Sequence, residues 1–355
     1  KDFGKAEESL QSALKISPDD ININKSLVGL YLSQKDVTAA QNILETFVKT
    51  KPDDAAPLIM LGNFHISQKN NSMAETSFLK AIEKSPENIA SYMILTRFYN
   101  SIKETQKAEQ YILKALEIDP ENAGLKNAHA DFYYSQKNFE KAMALANDIL
   151  EERPDYIPTK ILKGKILVQQ KELDAAIQIF QELVKDEPNS QVNNFLLGST
   201  FLQKGDQEKA RPYLSKTLEV NPNHFPSRMM MANIHYRNRD YTLAETDVKK
   251  VLRFAPNHYE ANILLGNVYA SQKNFSSARP LFETMILSEP ERPSAYFRLG
   301  VIERLGKNNI AAMRHFEKAL EINPKLMDVF TNIIAIYSSE KKFDRAIKRC
   351  DNQIE

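Results

Sequence analysis

The sequence predicts an all-α fold made of repeated helix pairs, and two regular rows of residues carry that prediction. Ten of the sixteen prolines, from Pro18 to Pro324, stand at intervals of 34 residues. Eleven alanines, from Ala6 to Ala346, keep the same interval, twelve residues before each proline position. A fixed period of this length is typical of repeat proteins whose units each supply one supersecondary motif.

The composition agrees with helices joined by short loops and argues against several functional classes. The chain of 355 residues has ten glycines and no tryptophan, with 42% hydrophobic and 26% charged residues. Its 47 basic and 46 acidic residues leave a net charge of +1, which disfavours a nucleic-acid partner. A single cysteine excludes an intrachain disulfide and a multi-cysteine zinc site. No apolar run reaches the roughly 18 residues of a membrane-spanning helix, so no membrane insertion is expected.

Each repeat is expected to begin with a first helix after the proline. The next residue is acidic or asparagine in most repeats, and we expect it to cap the free amides of that helix. The residue ten positions after the proline is small in eight of ten repeats, as at Gly62. The residue thirteen positions after the proline is bulky in most repeats, as at Tyr99. We expect the bulky side chain to fill the space beside the small one.

A second helix completes each repeat and carries the alanine row. A small alanine lets the two helices approach closely. The repeated proline ends this helix, because the residue before a proline is driven out of the helical region and proline has no N–H. Pro212 and Pro280 instead fall inside second helices, where we expect a local bend or a late helix start.

These rows resemble the tetratricopeptide repeat, most clearly from Ala261 to Pro290, with Leu265-Gly266, Tyr269 and Ala278 between them. The resemblance implies a right-handed α-solenoid superhelix of stacked helix-turn-helix units with a concave face lined by first helices. The family's early tryptophan is absent, which we expect to weaken individual helix contacts. The resemblance covers the whole chain as a single array: a partial unit at 1–20, complete units at 21–54, 55–88, 89–122, 123–156, 157–190, 191–224, 225–258, 259–292 and 293–326, and an incomplete unit at 327–355.

The sequence favours a protein without catalytic activity, metal or cofactor. No stretch matches a Walker loop, a GxGxxG, an HExxH or a GxSxG motif. His224 and His258 occupy equivalent turns, but no cysteine or carboxylate joins them as a metal ligand, and we interpret them as turn residues. His65 and His235 stand in the bulky row and are interpreted as packed histidines with one hydrogen-bond partner each.

A basic row stands seventeen residues after the prolines, where nine of ten repeats carry lysine or arginine, from Lys35 to Lys341. One interpretation is an anion-binding ridge. The other, which we favour, is that a basic residue at a helix C-terminus interacts favourably with the helix dipole.

The candidate binding surface combines two rows of the first helices. Seven residues after the prolines the side chains are mostly apolar, and four residues further they are mostly polar. If stacking follows the family, both rows face the concave side, where apolar groups anchor a peptide or helix and polar groups pair with its backbone. The alternative is that the apolar row packs against the neighbouring repeat. The candidates are Phe195, Ser199, Met229, Asn233, Tyr236, Arg237, Ile263 and Asn267, followed by Met93, Arg97, Asp131 and Tyr134.

The leading hypothesis is a protein-protein interaction scaffold that binds a peptide, helix or partner protein. The alternative is the substrate-recognition arm of a larger enzyme, such as a glycosyltransferase. The uniform repeats also resemble bacterial arrays of exopolysaccharide export and exosortase-linked systems, which favours the cell envelope or periplasm and leaves the cytoplasm open. Because the chain begins at one second helix and stops within another, we expect exposed terminal helices and self-association.

Overall fold

The computed structural model describes residues 3–354, with side chains through residue 351, and these residues form 21 α-helices and no strand. The prediction of an all-α solenoid is confirmed. The first helices are α2 (Ile21–Ser33), α4 (Ala55–Ser67), α6 (Ile89–Ser101), α8 (Ala123–Ser135), α10 (Ile157–Gln169), α12 (Gln191–Lys204), α14 (Phe225–Arg237), α16 (Tyr259–Ser271), α18 (Pro293–Leu305) and α20 (Met327–Ser339). The second helices are α1 (Phe3–Ile16), α3 (Val37–Thr50), α5 (Asn71–Lys84), α7 (Thr105–Ile118), α9 (Phe139–Glu152), α11 (Leu173–Asp186), α13 (Gln207–Val220), α15 (Tyr241–Phe254), α17 (Phe275–Ser288), α19 (Asn309–Ile322) and α21 (Phe343–Ile354).

The helices belong to two compact units, an N-terminal half at Lys1–Gln170 and a C-terminal half at Lys171–Glu355. Within each half, successive helices pack on one another. Consecutive first helices also contact each other, for example α4 with α6 and α14 with α16. The first helices therefore form one face of each stack and the second helices form the other.

The first helices are capped one residue later than the sequence analysis expected. The side chains of Asp20 and Asp54, each two residues after the proline, accept hydrogen bonds from Asn22 N (2.7 Å) and Ala56 N (2.9 Å). The prediction for the residue directly after the proline is wrong, because that residue lies within the turn and the helix begins two residues beyond it.

The repeated proline ends the second helix as predicted, but the interior prolines behave differently. Lys51, before Pro52, leaves the helical region with φ −130° and ψ 70°. Pro212 and Pro280 lie inside α13 and α17, which begin at the same repeat position as the other second helices. The predicted late helix start is therefore wrong. Both prolines are on the exposed side of their helices, where water can solvate the carbonyl that loses its partner.

Each repeat is tightly packed where the two helices cross. Nine alanines of the second helices, from Ala40 to Ala312, are fully buried. The space beside the small residue of the first helix is filled from the second helix of the same repeat: a Cβ added at Gly62 would overlap the Phe78 ring, and one at Gly266 would overlap Phe282. The expectation that the bulky residue of the first helix fills this space is wrong.

That bulky residue instead reaches back to the preceding repeat. The hydroxyl of Tyr31 donates to Glu7 Oε1 (2.9 Å), and that of Tyr99 donates to Glu75 Oε1 (2.7 Å). In the C-terminal half the same two positions hold an ion pair between Arg279 and the buried Glu303. In these repeats, residues 24 apart therefore connect a second helix to the next first helix.

The position of the family's tryptophan has a polar role in several repeats. Asn194 Nδ2 and Asn262 Nδ2 each donate to the carbonyl of the proline six residues earlier (2.9 Å), as does the hydroxyl of Tyr92 (2.9 Å). Arg228 does the same and also donates to Asp247 Oδ1 (3.0 Å). These hydrogen bonds satisfy a carbonyl at the turn, a role that was not predicted from the sequence.

Candidate functional site

The predicted apolar residues stand at one position of three consecutive first helices in the C-terminal half. Phe195, Met229 and Ile263 lie on α12, α14 and α16, which contact one another in that order. All three side chains are half-buried. They therefore lie on the face of the first helices and keep part of their apolar surface accessible.

The same three side chains also contribute to packing between repeats. The Phe195 ring lies edge-on to the His224 ring at a centroid distance of 4.7 Å. Met229 packs against a buried cluster that includes Ala261 and Leu265 of the next repeat, and Ile263 packs against a cluster that extends to Leu299. The two interpretations of the apolar row are thus compatible, because one side of each residue packs and the other faces outward.

The polar row accompanies the apolar row, but part of its hydrogen-bonding capacity is used locally. Asn233 is exposed, and its Nδ2 donates to the Met229 carbonyl (2.8 Å). The hydroxyl of Ser199 donates to the Leu196 carbonyl (3.0 Å). Asn267 is half-buried on α16. The side-chain oxygens of this row are left to accept from the N–H groups of a ligand.

Tyr236 and Arg237 border these rows at the end of α14. The Tyr236 hydroxyl lies 3.2 Å from Ser271 Oγ on α16, and its ring is 5.9 Å from that of Tyr241. Tyr236 also packs on the buried cluster of its repeat, whereas Arg237 is exposed. A fixed aromatic ring next to an exposed guanidinium marks one edge of the surface.

The second candidate group lies in the N-terminal half on α6 and α8. Met93 is half-buried against the core cluster of its repeat, and Arg97 is exposed. Asp131 is exposed, and Tyr134 is half-buried against a core cluster that its own repeat shares with the next one. A hydrogen bond from Gln136 Nε2 to Asn100 Oδ1 (2.8 Å) joins the ends of the two helices. This group carries opposite charges on neighbouring helices, unlike the group in the C-terminal half.

Open clefts lie between consecutive second helices, and they were not predicted from the sequence. One cleft, of about 590 Å³, lies between α3 and α5 over Leu58 and His65 of α4. Another, of about 330 Å³, lies between α7 and α9 over Lys126 and His129 of α8. Both include the residue at the tryptophan position, and a smaller side chain there is the signal in the sequence that points to them.

Structural positions in turns and in the core are held by His224, His258 and His235. His224 and His258 cap α14 and α16, with Nδ1 accepting from Ser227 N (3.3 Å) and Ala261 N (3.2 Å). Burial lowers the pKa of His224. His235 is buried with Nε2 at 3.7 Å from Asp247 Oδ2, while its Nδ1 has no hydrogen-bond partner in the described part of the chain.

Two features are absent from residues 3–354. These residues contain no group of three or more histidine, cysteine, aspartate or glutamate side chains arranged to hold a metal ion. None of the helices described combines the length and apolar character required to cross a membrane.

Family comparisons identify the repeat throughout much of the chain. One tetratricopeptide repeat model matches residues 1–62, 103–166 and 133–197, and a second matches residues 193–224. A model described as the TT21 fifth ARM repeats domain matches residues 226–338. The comparison with curated proteins finds no match.

Two solved structures share the fold at low sequence identity, and a third is similar over a comparable length. A tetratricopeptide repeat protein from Parabacteroides merdae is 18% identical with a TM-score of 0.53, over 74% of this chain and 99% of that one. PilW, a type IV pilus biogenesis factor, is 18% identical with a TM-score of 0.50, over 59% and 98%. PilF of Pseudomonas aeruginosa is 19% identical with a TM-score of 0.47, over 61% and 97%.

Proposed function

Because this chain belongs to the tetratricopeptide repeat family, we propose that it is a non-enzymatic scaffold whose first helices bind an extended segment of a partner protein. The proposal is supported chiefly by one observation. Three half-buried apolar side chains, Phe195, Met229 and Ile263, stand at the same position of three consecutive first helices and are flanked by amide and hydroxyl groups.

The chemistry of this surface favours a largely uncharged segment. The apolar row supplies contact area, and the oxygens of Asn233 and Asn267 can accept from backbone N–H groups of the ligand. Arg237 is the charged member of the candidate set in this half. An extended peptide with apolar side chains at every second or third residue therefore fits this surface better than a strongly acidic or basic one.

The test begins with selection of peptides from a random display library on the whole chain. The affinity of a selected peptide is then measured for the wild type, Met229→Ala and Asn233→Ala, with Lys250→Ala on the second-helix face as the matched control. We expect Met229→Ala to weaken binding by about 1 to 3 kcal/mol and the control to leave it unchanged.

A melting curve for each variant separates binding from folding. If Met229 serves only the packing between repeats, its truncation lowers stability by about 2 to 5 kcal/mol while affinity per folded molecule stays the same. Unchanged affinity in both Met229→Ala and Asn233→Ala excludes this surface, and the test moves to Met93, Arg97, Asp131 and Tyr134.

A further inference from the structure

The cleft between α3 and α5 in the N-terminal half has the features of a small-molecule site separate from the first-helix surface. Its volume of about 590 Å³ lies within the roughly 300 to 1,000 Å³ of typical ligand pockets. Val48 of α3 and Leu58 and Leu61 of α4 supply apolar lining. Leu58 stands at the position of the family's tryptophan and is smaller than an indole, which leaves the cleft open above it.

One end of the cleft is cationic. The turn between α3 and α4 places Lys49 near the start of α4, and Val48, Leu58 and Ala81 share one cluster there. Lys80 also lines the cleft and is next to Ala81 in sequence, so we assign it to this end. Among the described residues, neither Lys49 nor Lys80 has an ion-pair partner.

Further charges at the rim leave this end positive. Lys84 pairs with Asp53 at 3.5 Å, and Glu83 supplies one negative charge. The two unpaired ammonium groups therefore attract an anion to this end of the cleft.

The other end holds a buried imidazole. His65 lies seven residues after Leu58, about 10 Å along α4 at 1.5 Å per residue. It is only 4% exposed, lines the cleft and forms no hydrogen bond within the described residues. Glu45 of α3 faces this end and disfavours a second anion. Burial lowers the pKa of His65, so its ring is neutral at pH 7. A neutral imidazole has one nitrogen that donates and one that accepts, so it can form a hydrogen bond with an uncharged polar group.

We propose that this cleft binds an aliphatic carboxylate whose chain covers the roughly 10 Å from Leu58 to His65 and carries a neutral hydroxyl or carbonyl at its far end. The carboxylate lies between Lys49 and Lys80, the hydrocarbon chain covers Leu58 and Leu61, and the distal group bonds to His65. A peptide fits less well, because Val48, Leu58 and Leu61 of the lining offer no partners for its backbone amides.

Isothermal titration of the whole chain with 10-hydroxydecanoate tests the proposal. We expect saturable binding at one site and selective movement of one histidine Hε1 resonance. Decanoate, which lacks the hydroxyl, should bind several-fold more weakly, and 1,10-decanediol, which lacks the carboxylate, at least tenfold more weakly. Equal affinity for the diol and the acid would overturn the proposal, as would the absence of saturable binding.

Two variants place the ligand in this cleft. Lys49→Gln with Lys80→Gln should reduce affinity at least tenfold, and Leu58→Trp should abolish binding by filling the floor. The matched control is Lys185→Gln with Lys250→Gln, which changes the same two repeat positions in the C-terminal half and should leave binding unchanged. If Leu58→Trp does not fold, the lysine variants still decide the question. Unchanged affinity in the Lys49 and Lys80 variant, or tighter binding of acetyl-Leu-Leu-Leu than of the acid, would refute it.

Discussion

At the scale of single residues, the basic row of the turns has a backbone role that its charge does not indicate. Nine residues, from Lys35 to Lys341, adopt the left-handed conformation with φ between 58° and 66°. Gly205 holds the tenth position with φ 89°. The conformation closes the helix end: Lys273 N donates to the Ala270 carbonyl and Asn274 N to that of Tyr269. A basic side chain therefore replaces the glycine that this conformation favours, at a cost of about 1 to 2 kcal/mol.

Replacing one such residue by glycine should stabilise the chain. For Lys273→Gly we expect a gain of about 0.5 to 1 kcal/mol, because the relief of left-handed strain exceeds the added entropy of the unfolded chain. Lys250→Gly, in the exposed interior of α15, is the control and should lose about 1 kcal/mol. Urea unfolding of both variants measures the difference. A loss for Lys273→Gly would mean that the lysine side chain stabilises the turn by more than its strain costs.

A glycine in a first helix tests the packing between the helices of one repeat. Gly62→Ala should destabilise by about 1 to 3 kcal/mol, because the new methyl group meets the Phe78 ring in a buried crossing. Gly29→Ala offers a matched comparison in α2, where nothing lies within 4 Å of the added Cβ. That substitution should stabilise by up to about 1 kcal/mol, through helix propensity alone. Thermal melts of the two variants that shift in the same direction would contradict this account.

At the scale of helices, the proline and alanine rows were enough to predict where each helix pair lies. They did not predict how neighbouring repeats are joined. The partner of Glu303 is Arg279, 24 residues earlier and in another repeat, and each belongs to a row that looks irregular when considered alone. The candidate rows were predicted by period, but their half-buried state was not, because one side of Met229 is covered by residues of the following repeat.

The Arg279–Glu303 pair gives a sharp test of this connection. Arg279→Met should cost about 3 to 5 kcal/mol, because it leaves the buried Glu303 carboxylate with Asn308 Nδ2 (3.1 Å) as its remaining partner among the described residues. The double variant Arg279→Met with Glu303→Leu copies the apolar pair Met143 and Leu167, which occupies the same two repeat positions in the N-terminal half. It should recover most of the stability. A double variant as unstable as the single one would show that the two positions are not coupled.

At the scale of the whole molecule, we expect buried histidines to set the acid limit of the most stable pH range and a buried tyrosine to set its alkaline limit. Burial lowers the pKa of His65, His129 and His315 below the ordinary histidine value. Burial raises the pKa of Tyr99 above the ordinary tyrosine value, and its hydrogen bond to Glu75 raises it further. The histidines favour folding while neutral, and the tyrosine favours folding while protonated.

These shifts predict a stability plateau that ends on both sides. The histidine contribution is present above the unfolded pKa of about 6.5 and is lost as the pH falls through the lower folded values. The tyrosine contribution is present below the unfolded pKa of about 10 and is lost as the pH rises through the higher folded value. Urea unfolding from pH 5.5 to 11 should therefore show a free energy of unfolding that decreases at pH values below about 6.5 and at pH values above about 10.

Two variants test which groups cause these decreases. His129→Asn should reduce the acid slope by up to about 1.4 kcal/mol per pH unit, and Tyr99→Phe should reduce the alkaline slope by as much. Each substitution removes a titrating group and keeps a side chain of similar size. A slope that stays unchanged in its variant would therefore mean that other groups cause the decrease on that side of the pH range.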